Sequence, residues 1–348
     1  MKKITIIWWT DWFWKWLWKF ILDNFSENVT LRVTWRNVEK WNKVAEELWC
    51  EFSDNNLESV KDADIVIFSV PIAYMEKTIE EIAPNIKKWA VAVDICSIKI
   101  WPSNALKKFS PEWVLVLPTH PMFWPYVSTI AWQIFVLTPE EKDKNDFRYK
   151  FLKEFLEKSW AKVIESDPEE HDQMMAIVQW LTHFNMFAIW ETIKEMWVDI
   201  KKSMDFVSPI YKLMITSVER YIWQNPKLYS DIQIYNTKIL PVHENFIKAT
   251  KKLNKFIENK DEKGFIWSVL ETQEYFWENS KRWQKYTDKI IYLISRQLEK
   301  LEGKIWEKIS LKNIYSWEKI FWVLKNFSDH DIFFEDWKKV CLDEWEVL

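Results

Sequence analysis

Two polar segments that follow apolar runs carry residues able to bind and move protons. The first, Asp94-Ile95-Cys96-Ser97-Ile98-Lys99, ends the apolar run 90–94, and the second, which contains His120, follows the run 114–117. Parallel strands end at one edge of a sheet, and open α/β sheets bind their ligands at that edge. His120 is held between two prolines. A packing role explains such a residue poorly, so we predict that His120 is catalytic.

A second group of polar residues has helical spacing. Gln179 and His183 are four residues apart, and His171 and Gln179 are eight apart, which places the three near one face of a helix. This segment has no pair of histidines four residues apart and only one carboxylate close by, so we predict no metal site. We interpret His171 as a helix-start residue, whereas packing and function are equally good explanations of His183.

Two cations form a third group. Lys212 and Arg220 are eight residues apart, about two helical turns, so both can point into one cleft. Together they would suit a substrate with two negative charges. A pair of exposed helix charges is the alternative, and spacing alone does not exclude it.

The tryptophan content of the chain is abnormal. It has 27 Trp and 2 Gly, whereas roughly 24 Gly would be expected at about 7% usage. Many tryptophans stand where a backbone needs positive φ or a close approach, which glycine allows and a bulky side chain resists. We hypothesise that UGA codons read as glycine have been translated as tryptophan; the alternative is a genuinely Trp-rich protein. The positions that suggest recoding are Trp8, Trp9, Trp12, Trp14, Trp49, Trp89, Trp113 and Trp337.

The turn after the first predicted strand, 3–7, is glycine-rich if its tryptophans are glycines. Such a turn before a helix binds the pyrophosphate of a dinucleotide on backbone N–H groups, but four indoles would fill that space. No acidic residue follows the second strand to bind the ribose 2′-hydroxyl of NAD. Arg36 stands there instead and suits the 2′-phosphate of NADP, so the sequence favours NADP over NAD. The predicted cofactor-binding residues are Trp8, Trp9, Thr10, Asp11, Trp12, Phe13, Trp14, Arg36, Ser69, Val70 and Pro71.

The elements that must position these residues change along the chain. Apolar runs at 31–34, 65–70, 90–94 and 114–117 alternate with helical segments, which indicates a Rossmann-like, doubly wound parallel sheet. After Pro168 only helical periodicities follow, with breaks at Pro209, Pro226 and Pro241, and short alternating runs return after 303. We predict a dinucleotide-binding domain at 1–166, a helical substrate and dimerisation domain at 167–302, and a small β-rich appendage at 303–348.

The composition excludes several classes of protein. The 348 residues are 48% hydrophobic and 29% charged with a net charge of −4, typical of a globular domain and unlike a nucleic-acid-binding surface. Three cysteines are too few and scattered for a disulfide framework or a zinc site. Charges interrupt every apolar run and no signal segment is evident, so we expect a cytoplasmic protein without membrane spans.

The motifs together resemble the prephenate dehydrogenases of tyrosine biosynthesis. The resemblance runs from Lys3 to about Tyr286 and rests on four motifs. In one of them Trp124 stands where the family has glycine. The four are Asp94-Ile95-Cys96-Ser97-Ile98-Lys99, His120-Pro121-Met122-Phe123-Trp124-Pro125, the helix from Glu170-His171-Asp172-Gln173 through Gln179 to His183-Phe184, and the segment from Ser208 to Asp231.

The resemblance implies an NAD(P)-dependent oxidative decarboxylation of prephenate to 4-hydroxyphenylpyruvate. It implies that His120 accepts or polarises the proton of the substrate 4-hydroxyl and that Ser97 orients that group. It also implies a homodimer formed through the helical domain. The implied substrate-binding residues are Arg220 for a carboxylate, His183 and Lys212 in support, Gln179, and Lys99 near the nicotinamide.

Two other functions stay open. An arogenate dehydrogenase, or another dehydrogenase of the β-hydroxyacid type, would differ by one or two residues of the cleft. A catalytically inert scaffold would follow if the tryptophans are genuine, because the nucleotide loop would then be filled.

Overall fold

The fold was obtained as a computed structural model in which two compact units are defined. The first contains 1–198 and 216–247, and the second contains 199–215 and 248–348. The predicted loop 8–14, Arg36, Trp49, Trp124 and Trp337 lie outside the described residues. Helical side chains at 277–282 and 294–298 are not described either. The described residues are 2–7, 17, 20–21, 29–34, 50–123, 127, 129–314, 316, 318–328, 331–335, 338–341 and 344–348.

A six-stranded parallel sheet organises the first unit. Its strand order is β3-β2-β1-β4-β5-β6, and every neighbouring pair is parallel. This order is typical of a dinucleotide-binding fold, with the reversal of direction between β1 and β4. The predicted doubly wound sheet is therefore confirmed. Its strands are β1 Lys2–Ile7, β2 Val29–Thr34, β3 Glu51–Ser53, β4 Ile65–Phe68, β5 Val91–Asp94 and β6 Leu115–Val116.

Both faces of the sheet are covered, which explains the uninterrupted apolar runs of its strands. Val66 and Phe68 of β4 pack in one core with Met75, whereas Ile67 packs in the other with Tyr149. The edge strand β3 was not predicted, because its three residues are only partly buried and give no apolar run. The helices of this part are α1 Asn56–Val60, α2 Ile72–Ile82, α3 Ile100–Phe109 and α4 Phe147–Lys158.

A second, three-stranded sheet was also missed from the sequence. It contains β7 Thr119–Pro121, β8 Ile134–Leu137 and β9 Lys162–Glu165. β7 pairs with β8 antiparallel, and His120 lies opposite Val136, while β8 pairs with β9 parallel. The strands are too short to produce a clear periodicity, but β7 fixes the backbone on both sides of His120.

The chain is helical from 168 to 299, as predicted. Pro209 and Pro226 begin helices, where proline is tolerated because the first N–H groups have no partner within the helix. Pro241 lies within the first turn of its helix, so the predicted break there is wrong by about one turn. None of the helices among the described residues is both long enough and apolar enough to span a membrane. The helices are α5 Pro168–Met175, a π-helical turn Ala176–Leu181, α6 Thr182–Glu195, α7 Ile200–Met204, α8 Pro209–Ile222, α9 Pro226–Tyr235, α10 Ile239–Glu258 and α11 Glu262–Glu299.

The C-terminal part is a small antiparallel sheet, which confirms the predicted β-rich appendage. The strand order is β13-β12-β11-β10-β14, and its core contains Leu311, Leu324, Ile332 and Phe334. β12 and β13 pair antiparallel. The strands are β10 Lys308–Asn313, β11 Lys319–Phe327, β12 Asp331–Phe334, β13 Lys339–Cys341 and β14 Trp345–Val347.

Positive φ angles concentrate at tryptophan. Among the described residues, six that are not glycine have positive φ, and five of these are tryptophans. An L side chain is strained in this conformation, by about 1–3 kcal/mol for each such residue. Trp197 shows the reason most clearly: its N–H donates to Lys194 O at 3.0 Å and the Val198 N–H to Ile193 O at 3.3 Å, the pattern that ends a helix on a glycine. The five are Trp89 (67°), Trp132 (65°), Trp160 (61°), Trp197 (52°) and Trp306 (70°).

We predict that Trp197→Gly stabilises the protein made with tryptophan at every printed position. The indole is 92% exposed, so little packing is lost, and relief of the positive φ should raise the free energy of unfolding by about 1 kcal/mol. Urea unfolding measures the change. The control is Trp267→Gly in the second turn of α11, which should lower stability by about 1 kcal/mol. Destabilisation by both variants would contradict this account.

Candidate active site

Hydrogen bonds join the loop after β5, strand β7 and helix α5. The Thr119 hydroxyl donates to the carbonyl of Asp94 at 2.9 Å, which holds β7 against the end of β5. Helix α5 begins after Asp167, whose side chain accepts the Glu170 N–H. Its next residues are His171 and Asp172. The loop, the strand and the helix therefore bring His120, predicted from the sequence, beside residues 51 and 52 positions later in the chain.

A row of three buried side chains links His120 to a carboxylate. Nδ1 of His120 lies 2.9 Å from Nε2 of His171, and Nδ1 of His171 lies 2.8 Å from Oδ1 of Asp172. All three residues are at most 3% exposed. Asp172 also accepts the backbone N–H groups of Lys99 at 2.7 Å and Ile100 at 3.0 Å. The carboxylate thus caps α3 and contacts His171 at the same time.

Gln179 contacts the other nitrogen of His120. Its amide nitrogen lies 3.3 Å from Nε2 of His120. Eight residues of an ordinary α-helix exceed two turns by nearly one residue, and the π-helical turn 176–181 has wider turns that absorb this excess. His171 and Gln179 consequently both reach His120. Sequence spacing placed them on one face, but it could not reveal the π turn.

Lys99 is buried rather than facing an open cleft. Lys99 and Asp94 are both 0% exposed, and the ammonium is hydrogen-bonded to Oδ1 of Asp94. Burial raises the pKa of the Asp94 carboxyl, and Lys99 opposes that rise. The predicted contact of Lys99 with substrate therefore has no support from this arrangement, because its charge is already paired.

The site keeps its histidines neutral. Burial, then the neighbouring His171 and the Lys99 charge, hold the pKa of His120 well below its ordinary value. Burial also lowers the pKa of His171, against the opposing hydrogen bond to Asp172. A neutral imidazole can accept a proton, which a general base requires.

His183 lies in a separate aromatic cluster on the helices. Its ring centroid is 4.9 Å from those of both Tyr221 and Tyr229, and burial lowers its pKa to about 4. Its Nδ1 has no hydrogen-bond partner among the described residues. The exposed Arg220 acts on the same cluster, since its charge lowers the pKa of both tyrosines against the rise caused by burial. Arg220 therefore lies close to the two tyrosines that pack against His183.

The remaining predicted residues are less informative. Ser97 is half-buried in the loop after β5. Lys212 is half-buried in the first turn of α8. Ser69, Val70 and Pro71 connect β4 to α2, and the Ser69 N–H donates to the carbonyl of Ile7 at 3.1 Å. The ends of β1 and β4 are therefore adjacent, at the point where the strand order reverses and a dinucleotide fits.

Sequence reasoning missed the roles of His171 and Asp172. His171 does lie in the first turn of a helix, as interpreted, but its side chain is buried against His120 instead of serving the helix start. The only available signal was the adjacency of a histidine and an aspartate before Gln179. Nothing in the sequence tells that Asp172 meets backbone N–H groups more than 70 residues earlier.

Family models match most of the chain. Residues 27–165 match "Prephenate dehydrogenase, nucleotide-binding domain", and residues 167–272 match "Prephenate dehydrogenase, dimerization domain". The chain belongs to the prephenate dehydrogenase family. The predicted enzyme class, prephenate or arogenate dehydrogenase, is thereby confirmed.

Individual relatives agree with this membership. The chain is 43% identical to a "Probable arogenate/prephenate dehydrogenase" of Methanocaldococcus jannaschii over 85% of this chain and 67% of that protein. It is 29% identical to the T-protein of Haemophilus influenzae over 66% of this chain and 60% of that one. The chain thus spans about two thirds or less of the length of these relatives. A prephenate dehydrogenase structure from A. aeolicus with hydroxyphenyl propionate and NAD+ covers 80% of this chain and 98% of that chain, with a TM-score of 0.64 and 19% identity, which shows the shared fold.

We predict that His183 makes the stability of the protein depend on pH. The folded ring stays neutral down to about pH 4, whereas the ring in the unfolded chain takes up a proton below about pH 6.5. Acidification from pH 7 to pH 5 therefore stabilises only the unfolded state, by about 2 kcal/mol for this residue.

Urea unfolding of His183→Phe at the two pH values measures this contribution. Between pH 7 and pH 5, the free energy of unfolding of the variant should fall by about 2 kcal/mol less than that of the unmutated protein. An unchanged pH dependence in His183→Phe would show that His183 is not held neutral.

Proposed function

We propose that the chain oxidises and decarboxylates prephenate, with His120 as the proton acceptor. The observation that carries the proposal is a buried, neutral histidine at the carboxyl edge of a dinucleotide-binding sheet, with one ring nitrogen directed to a polar side chain, Gln179. Oxidation of a secondary alcohol requires the loss of a hydroxyl proton as the carbon loses hydride. His120 is suited to receive that proton.

The nicotinamide dinucleotide supplies the hydride acceptor when bound. The part of the dinucleotide site that lies among the described residues comprises the ends of β1 and β4 and the connection Ser69–Pro71. Nε2 of His120 accepts the proton of the ring 4-hydroxyl, and Ser97, in the loop after β5, orients that group. When the ring carboxylate leaves as CO2, the electron pair of the broken C–C bond stays in the ring. The ring becomes aromatic, and this gain in stability drives the step.

Arg220 binds a substrate carboxylate in this proposal. Its support is the proximity of its charge to the cluster of Tyr221, Tyr229 and His183. Nδ1 of His183, which has no hydrogen-bond partner in the described part of the chain, is a second polar group for the substrate. The supporting role of Lys212 stays a prediction from the sequence. Arogenate, which carries an amine where prephenate has a keto group, is the alternative substrate, and comparison of turnover with the two compounds decides between them.

Dimerisation, domain limits and location are further parts of the proposal. Residues 167–272 match a dimerization domain, and the second unit exposes large apolar side chains, among them Phe206, Ile257 and Trp267. We therefore infer a homodimer formed through the helices. The domain limits at 166 and 302 and a cytoplasmic location stay predictions from the sequence.

Recoding of glycine is the second part of the proposal. Its support is the five tryptophans with positive φ, above all Trp197 at the end of α6, because glycine adopts this conformation without strain. The intact mass of the native protein decides the matter, since each Trp-to-Gly difference is large. A mass that fits the printed sequence would favour the inert scaffold.

We predict that His120 and Arg220 differ in kinetic signature. His120→Asn removes an interaction needed chiefly in the transition state, so kcat should fall about 10² or more with little change in KM. Arg220→Gln removes a charged hydrogen-bond donor worth about 1.5–3 kcal/mol, so KM for prephenate should rise at least about tenfold. Steady-state kinetics with saturating cofactor measure both.

Glu219→Gln is the control for Arg220, because it changes an exposed charge on the same helix. It should leave KM within about twofold of the unmutated value, as expected for a surface charge. Near-normal turnover by His120→Asn would refute the assignment of the proton acceptor.

We also predict a preference for NADP. With glycine at positions 8, 9, 12 and 14, kcat/KM should be higher for NADP than for NAD, because Arg36 suits the 2′-phosphate and no acidic residue follows β2. Arg36→Ala should narrow the difference. A clear preference of the unmutated enzyme for NAD would overturn this prediction.

A further inference from the structure

We propose that His171 and Asp172 are positioning residues that hold His120 in a single tautomer, with Nδ1 protonated and Nε2 bare. The inference deepens the proposed function and rests on it for the identity of the proton that Nε2 receives. The geometry itself is independent of substrate, because it is defined by hydrogen bonds within the protein.

The row of hydrogen bonds starts at the carboxylate of Asp172. The backbone N–H groups of Lys99 and Ile100 can only donate, so Oδ1 and Oδ2 of Asp172 both act as acceptors. Nδ1 of His171 faces Oδ1 at 2.8 Å and must therefore carry a proton.

The tautomer of His171 then fixes that of His120. A neutral imidazole holds one proton, so Nε2 of His171 is bare and acts as an acceptor. Nδ1 of His120 lies 2.9 Å from that nitrogen and must donate to it. Nε2 of His120 is consequently bare, and it accepts from the amide of Gln179 at 3.3 Å. Burial and the Lys99 charge favour the neutral state that this argument requires, because they lower the pKa of both histidines.

Asp172 is held independently of the histidines. It is 1% exposed, its side chain caps α3, and its backbone carbonyl accepts the Asn236 amide at 2.8 Å. These contacts fix the carboxylate to the start of α3 and the backbone of Asp172 to the residue that follows α9. The proton arrangement of His120 is therefore set by rigid elements and not by solvent.

Loss of the His171 acceptor would release the constraint. Oε1 of Gln179 is buried without a partner among the described residues, so the amide can turn and accept a proton from Nε2 of His120. His120 would then carry its proton on the nitrogen that must be bare for catalysis.

Two variants at one position test the proposal. His171→Met removes the acceptor at similar volume, whereas His171→Gln can present an amide oxygen to Nδ1 of His120. The first readout is the tautomer of His120 by ¹⁵N NMR of histidine-labelled protein without substrate. We expect Nδ1–H in the unmutated protein and in His171→Gln, and Nε2–H in His171→Met.

The second readout is the steady-state kinetics of the same proteins. His171→Met should lower kcat at least tenfold with KM changed less than threefold, and His171→Gln should recover most of that loss. A merely structural role would not move the tautomer, and the glutamine would not restore it selectively.

The outcomes separate this inference from the proposed function. Nε2–H in the unmutated protein, or unchanged kcat in a folded His171→Met, overturns the inference while leaving prephenate oxidation standing. The expected tautomer in a protein that turns over neither prephenate nor arogenate overturns the function while leaving the constraint on His120 standing. If His171→Met does not fold, the spectra of the unmutated protein and of His171→Gln still decide the tautomer.

Discussion

The geometry of the site depends on the buried carboxylate of Asp172. A buried carboxylate is costly unless several donors surround it, and here three N–H groups do so: those of Lys99, Ile100 and the His171 ring. These donors come from the loop after β5, the start of α3, and α5 itself. One charge therefore joins the sheet edge to the helical region and determines where His171, and through it His120, can lie.

The second buried charge in the site is that of Lys99. Its ammonium is paired with Asp94 at the end of β5, and its charge contributes to the lowered pKa of both histidines. A cation close to two buried imidazoles opposes their protonation. Burial is the larger cause of the lowered pKa of His120, and the residue that supplies a backbone N–H to Asp172 adds to it.

The sequence could predict those parts of the fold and the site that depend on local residue patterns. Long apolar runs such as 65–68 and the start of α9 at Pro226 are set by burial and by proline chemistry, and His120 was found because it follows such a run. The relation between Asp172 and Lys99 could not be predicted, because it depends on how two segments 73 residues apart meet. The π turn at 176–181 and the short strands β7–β9 leave no periodic pattern either. Tryptophan was informative because a positive φ is a property of the local backbone. Trp89, in the turn before β5, has the positive φ expected there.

The central claim is that Nε2 of His120 receives the proton of the substrate hydroxyl. A crystal structure of the enzyme with its dinucleotide and a ring-hydroxylated inhibitor of the substrate type measures the relevant distance directly. The account predicts a hydroxyl oxygen about 2.6–3.2 Å from Nε2 of His120, with Nδ1 still hydrogen-bonded to His171. A hydroxyl bound away from His120, or a His120 ring turned so that Nδ1 faces the inhibitor, would contradict it.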